Sequence, residues 1–296
     1  MQKNSVSDVR PLSRAPVVSA VVLLLLVVMS VIVTSHSFLA IFSIEGLLIV
    51  GGGVIAVAFM SYEKEEVQKA LDAIVNVFRE PKMKHDDLHR DIMAIIYCAR
   101  LLREKGMRNL ESVIKKSGIN DPFVKYGLNM VVSEYNPEEV RAMMETAADA
   151  CRERDSVPVD VLHDMASHAP AFGMVGTLVG MVAMLVSLNG DMSAIGSSLA
   201  VSFLSTLYGV LSARMIYMPA ASRLQQEIAN RRFRNYLLTE GMVMLVSNKS
   251  SMFIQDRLNS FLRPEVHDYY SIAGTRPVEA TSDEVAGQLH HMAKAA

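Results

Sequence analysis

The 296-residue chain has no tryptophan and only two cysteines, Cys98 and Cys151. Two cysteines with no CxxC and no Cys/His partner at ligand spacing build neither a disulfide framework nor a metal site. The eight histidines are scattered, and the nearest pair is His290-His291 near the end. Charge of one sign is also missing: 29 basic and 31 acidic residues leave a net charge of −2. No basic field exists to neutralise phosphates, so a nucleic-acid partner is not expected. No nucleophile–base pair, phosphate loop or metal signature is present, and the chain is not expected to be an enzyme. Gly51-Gly52-Gly53 lies inside an apolar run, where glycine is expected to serve close packing rather than phosphate binding.

The sharpest scarcity is local. Between Ala15 and Tyr62 the only Asp, Glu, Lys or Arg is Glu45, and between Ala169 and Ala213 it is Asp191. That distribution excludes a single soluble domain and predicts a membrane protein with a sizeable polar part. Four apolar runs stand out, at residues 15–34, 38–60, 170–188 and 195–218. Each approaches the roughly 20 residues a helix needs to cross about 30 Å of hydrocarbon. The first run, preceded by Lys3, Arg10 and Arg14, is longer than a signal-peptide core and is followed at once by a second run, so a retained helix is favoured. Without tryptophan, any interfacial belt rests on Tyr and Phe.

The short connections 35–37 and 189–194 contain no Lys or Arg. All 29 basic residues lie in the N-terminal tail, in segment 63–168, in the C-terminal region, or at Arg214 near the end of the fourth run. The positive-inside rule therefore puts both termini and the middle segment in the cytoplasm. The fold expected is an all-α membrane protein, with four transmembrane helices and a helical cytoplasmic domain between spans two and three. Its parts are a cytoplasmic tail (1–14), a first hairpin (15–62), the cytoplasmic domain (63–168), a second hairpin (169–218), a cytoplasmic helical region (219–263) and a disordered tail (264–296). Both cysteines are then free thiols in a reducing compartment.

The middle segment has helical periodicity at Val67, Leu71, Ile74, Val75 and Phe78, and again at Leu88, Ile92, Ile95, Ile96, Ala99 and Leu102. Asn136-Pro137-Glu138-Glu139 reads as a helix start, with Asn as cap, Pro first and Glu three residues after the cap. Leu224, Ile228, Tyr236 and Leu237 mark another amphipathic stretch, interrupted by Arg231, Arg232 and Arg234. A dense charge cluster runs from Arg100 through Arg103, Glu104 and Glu111 to Lys116; it is a solvated face or a docking surface for a charged protein.

Within span three, Gly173, Gly176, Thr177, Gly180, Met184 and Ser187 share one stripe; in span four, Ser198, Ser202, Ser205, Thr206, Gly209 and Ser212 do the same. Small residues permit close backbone approach and hydroxyls offer interhelical hydrogen bonds, so these stripes are first of all packing seams. A polar pathway is the functional reading. Neither span has an ionisable residue at its centre, so a titrating group for ion passage must come from another chain. Glu45 is the one candidate within this chain, at the outer end of span two.

The blocks Pro170-Ala-Phe-Gly-Met-Val-Gly-Thr-Leu-Val-Gly180 and Ala200-Val-Ser-Phe-Leu-Ser-Thr-Leu-Tyr-Gly209, with Pro219 just beyond, resemble the MotA/PomA family of flagellar stator subunits, itself related to TolQ/ExbB proteins. Tyr126-Gly-Leu-Asn-Met-Val-Val and Glu138-Glu-Val-Arg-Ala142 are similar to the cytoplasmic stretch of its sodium-type members. The resemblance implies a pentamer in the bacterial inner membrane around a MotB/PomB-like, peptidoglycan-binding partner that carries the ion-binding Asp. It implies ion flow that turns the pentamer against the rotor protein FliG, with Arg103 and Glu111 as rotor-facing charges and Pro170 and Pro219 as coupling prolines. Thr177, Ser205 and Thr206 would line the ion path, and Gly173, Gly176, Gly180 and Gly209 would pack it. Thr at 177 and 206 matches sodium-type members, and hydroxyl oxygens suit transient Na⁺, so Na⁺ is expected, with H⁺ as the alternative. No cofactor is expected beyond the transported ion. The competing functions are a TolQ/ExbB-type energiser of an outer-membrane system and a non-transporting membrane scaffold.

Overall fold

The computed structural model describes residues 22, 29, 43–77, 85–116, 119, 121–187 and 192–262. The expected first span, the N-terminal tail, most of the connection before span four and the tail after residue 263 lie outside these residues. Regular structure among the described residues is helical throughout.

Helix α1 (Ile44–Ser61) begins at Ser43, whose hydroxyl accepts from the Gly46 N–H at 3.1 Å, and it widens into a π-turn at Leu48–Gly52. Helix α2 (Lys64–Asn76) carries Glu65 and Glu66 in its first turn, where the helix dipole favours them. Its buried face centres on Val67 and Ala70, whereas Val75, expected on that face, is 61% exposed. Helices α3 (His85–Lys105), α4 (Met107–Lys116) and α5 (Pro122–Val132) follow. On α3 the predicted stripe is buried from Leu88 to Ala99.

Helix α6 (Pro137–Val186) starts as its sequence dictates: the Asn136 side chain accepts from the Glu138 N–H, and Glu139 Oε2 accepts from the Asn136 N–H, both at 3.2 Å. Its 50 residues, about 75 Å at 1.5 Å per residue, continue through Pro158 and Pro170 without a break. Helix α7 (Met192–Leu211) passes through a π segment (Ser212–Tyr217) into α8 (Met218–Val246). That π segment ends just before Pro219, where the missing N–H already loosens the hydrogen-bond ladder. Helix α9 (Ser251–Asn259) closes the described chain.

The chain divides into two compact units. Unit 1 comprises Met1–Glu80 and Asp155–Gln226; unit 2 comprises Pro81–Arg154 and Glu227–Ala296. Helix α2 and residues 155–168, assigned by composition to the cytoplasmic domain, therefore cluster with unit 1. Three helical stretches, Ile44–Ser61, Pro137–Val186 and Ile195–Val246, are long and apolar enough to cross a membrane. In unit 1, Met174, Leu178, Val182, Leu185 and Val186 are each more than half exposed, the outward apolar surface that a lipid environment requires. Unit 2 has an ordinary aliphatic core, with Ile92, Leu101, Leu110, Leu128, Leu237 and Met242 almost wholly buried.

Candidate functional site

The two small-residue stripes meet inside unit 1. A Cβ on Gly209 would lie 2.5 Å from the Ala169 carbonyl oxygen and 3.2 Å from the Gly173 Cα, so α6 and α7 are in backbone contact there. One on Gly173 would come within 3.0 Å of the Ser205 carbonyl oxygen. Gly180 faces the Ser202 hydroxyl and the Ser198 carbonyl, and Gly176 faces the Ser205 side chain. All four glycines named from the sequence thus sit where α6 and α7 approach too closely for a side chain.

At the middle of this seam stand Thr177 and Thr206, with hydroxyl oxygens 2.5 Å apart. Thr177 Oγ1 is also 3.0 Å from the Ser202 carbonyl and 3.1 Å from the Gly173 carbonyl, and Thr206 Oγ1 is 3.3 Å from the same Gly173 oxygen. Two hydroxyl and two carbonyl oxygens therefore converge. The two hydroxyl protons are satisfied within the cluster, which makes it interhelical glue of about 0.6–2 kcal/mol. The lone pairs left over form an all-oxygen donor set suited to a hard cation. Ser205 behaves differently: it is fully buried, donates to the Val201 carbonyl at 2.7 Å, and packs against Gly176 and Gly46.

Glu45 lies deeper than its sequence position suggests. A Cβ on its neighbour Gly46 would meet the Ser205 Oγ at 2.9 Å, and the Ser43 N–H donates to the Tyr208 hydroxyl at 2.9 Å. The start of α1 is thus level with a point 13 residues into α7, roughly 20 Å along it. The Glu45 carboxylate is exposed and accepts from the Ser43 hydroxyl at 3.1 Å.

Pro170 lies inside α6, and Pro219 is the second residue of α8. In unit 2, Arg103 is exposed in the last turn of α3, and Glu111 on α4 pairs with Lys115 at 2.6 Å. Sequence reasoning missed the buried charge cluster among the described residues of unit 2. Arg234, counted among interrupting charges, is 4% exposed at its side chain and bridges Asp91 (2.5 Å) to Asp121 (2.6 Å). Burial opposes the guanidinium charge, but the bonds to both carboxylates leave its pKa above the ordinary value; burial pushes the Asp91 carboxyl up against the pull of Arg234. Asp121 also caps α5 through the Phe123 N–H at 2.9 Å. The Asp-Pro helix start was a readable signal for that cap, but not for a partner 113 residues away.

Apolar membrane-length helices joined along a glycine and hydroxyl seam define a helical integral membrane protein built around a polar contact. Residues 115–234 match the MotA/TolQ/ExbB proton channel family. Motility protein A of Borreliella burgdorferi is 34% identical over 174 residues, covering 59% of this chain and 66% of that protein. Chemotaxis protein PomA of Vibrio alginolyticus is 31% identical over 223 residues, covering 74% of this chain and 83% of that protein. The solved flagellar MotAB stator complex from Bacillus subtilis has the same fold in its matching chain, with a TM-score of 0.72 at 22% identity over 86% of this chain and 96% of that one. The chain belongs to the MotA/TolQ/ExbB proton channel family, in its MotA/PomA stator branch. It is accordingly an inner-membrane channel-type subunit and not an enzyme.

Proposed function

We propose that this chain is the ion-conducting stator subunit of a bacterial flagellar motor, coupling Na⁺ flow to torque together with a MotB/PomB-like partner. The observation that carries the ion path is the convergence of Thr177, Thr206 and two backbone carbonyls on the α6–α7 seam. These oxygens can hold a partly dehydrated cation but cannot titrate, so the proposal assigns the titrating carboxylate to the partner helix. Glu45, level with Ser205, is a second carboxylate available to the ion on its way in. Motility protein A and PomA among the relatives support the stator over an outer-membrane energiser, and the MotAB complex among fold neighbours supports a membrane partner. The assembly proposed is the pentamer that the family resemblance implies, made of four-span subunits on the strength of the four apolar runs, with both termini cytoplasmic on the strength of the basic-residue asymmetry. Arg103 and Glu111 would meet the rotor protein FliG, and Pro170 and Pro219 would transmit the motion.

The test is rotation of tethered cells expressing this chain with its partner, at fixed pH, with and without external Na⁺. Rotation that stops without Na⁺ supports the reading, and rotation indifferent to Na⁺ replaces sodium by protons. Thr177→Ala should cut Na⁺-driven torque while assembly persists, because it removes an ion ligand but only about 0.6–2 kcal/mol of interhelical bonding. Unchanged torque would remove Thr177 from the path.

A further inference from the structure

Pro170 makes a weak point in α6: it has no N–H to give the Ala166 carbonyl one turn earlier, and its ring crowds that oxygen. Within unit 1, α1 touches α6 on both sides of this point. Towards the middle of the span, a Cβ on Gly53 would overlap the Phe172 ring, so the ring lies directly on the α1 backbone. On the other side, the Tyr62 hydroxyl donates to Asp164 Oδ2 at 2.6 Å, from the residue at which α1 ends. Phe172 and Asp164 are eight residues apart on α6, and Gly53 and Tyr62 nine apart on α1. At 1.5 Å per residue these are about 12 and 13 Å of antiparallel helix, so α1 bridges Pro170 in register.

The two ends of the bridge differ in kind. At Phe172 the contact is steric, and α7 grips the same part of α6 through Gly209 on the Ala169 carbonyl and the Gly173 Cα. At Asp164 the contact is a single hydrogen bond to an exposed carboxylate, where water can replace either partner. A bend at Pro170 therefore meets packed helices on one side and a replaceable bond on the other. The bond gives way first.

We propose that Tyr62 is a positioning residue for Pro170: its hydrogen bond to Asp164 is a latch that holds α6 across the proline and opens each time α6 bends there. Tyr62 touches no ion and no partner in this scheme; it acts through the balance between the held and the bent helix. The proposal rests on the stator reading, in which Pro170 transmits motion, and it adds the element that returns α6 to its starting conformation after each step.

Two experiments in rotating cells test it. In a Cys151→Ser background, with Cys98 left buried, Tyr62→Cys and Asp164→Cys are combined and bridged with bismaleimidoethane. Bridging should stop rotation, because the latch can no longer open, whereas the same reagent on either single-cysteine variant should leave the motor turning. In the second experiment, Tyr62→Phe removes the donor from an exposed contact, so the purified chain should melt as the wild type does. Torque should nevertheless fall by about twofold or more, as α6 is no longer drawn back between steps. Asp164→Asn keeps an acceptor oxygen for Tyr62 and should retain more torque than Asp164→Ala. If bridged motors turn like unbridged ones, or Tyr62→Phe delivers wild-type torque, the latch is wrong although the stator reading stands. If the wild-type chain drives no rotation under either ion gradient, the stator reading itself fails and the latch falls with it.

Discussion

Units 1 and 2 are both made of packed helices, yet they hold together by opposite means. Along the α6–α7 seam of unit 1 the closest contacts belong to the smallest residues, glycine and serine at backbone distance, while large side chains such as Val182 and Leu185 point outward. Among the described residues of unit 2 large aliphatics fill the interior, and the charges stay outside except for Arg234 and its two carboxylates. The difference follows from the solvent. Lipid gives no hydrophobic reason to bury Val or Leu, so helices there gain by close van der Waals contact and hydroxyl bonds. Water gives that reason, so unit 2 is built like an ordinary soluble core.

The comparison breaks most visibly at Arg234. Arg234→Ala leaves Asp91 and Asp121 buried without their counter-ion, which should cost about 3–5 kcal/mol, read as a large drop in the denaturant midpoint of the detergent-purified chain. The triple variant Arg234→Met, Asp91→Leu and Asp121→Asn keeps the α5 cap and removes the charges; it should recover most of the loss. If it does not, the triad contributes more than charge compensation.

An intermediate effect is expected where unit 1 is tightest. Gly209→Ala puts a methyl 2.5 Å from the Ala169 carbonyl, and overpacking of this kind costs about 1–3 kcal/mol. The control is Gly51→Ala, whose added methyl would meet nothing within 4 Å of the described structure. Thermal unfolding in detergent should separate the two; equal stability would mean that the seam is not in contact in solution.

The sequence made the small-residue seam legible because a helix repeats every 3.6 residues, so spacing alone put Gly173, Gly176, Thr177 and Gly180 on one face. The Asn136 start of α6 was legible for a related reason: a capping box is closed within four residues. What spacing does not encode is the relative height of helices distant in the chain. Glu45 reads as terminal from its place in its own run, and only the packing of Gly46 on Ser205 sets it beside the middle of α7. Arg234 failed for the same reason, since its partners lie 143 and 113 residues away and a buried arginine is spelled like an exposed one. Pro158 and Pro170, strong breakers in isolation, both lie inside the 50-residue α6.

The smallest effect concerns a second ion pair of unit 2. Arg141 contacts both oxygens of Glu240, at 2.5 and 3.2 Å, and these hydrogen bonds hold the Glu240 pKa below the ordinary carboxylate value of 4.5. Because the folded pKa is depressed, the pair's contribution is fully present above that ordinary value and is lost as the pH falls through the lowered one. Asp91 works in the opposite sense: burial raises its pKa, so its protonation favours the folded state and its contribution fades as the pH rises. Glu240→Gln should therefore cost about 1 kcal/mol or less at neutral pH, given that the Arg141 side chain is 40% exposed, and nothing once the wild-type carboxyl is protonated. Urea midpoints of wild type and Glu240→Gln, measured from neutral to acid pH, should converge on the acid side. A gap that persisted there would mean that the Glu240 side chain stabilises unit 2 by packing rather than by its charge.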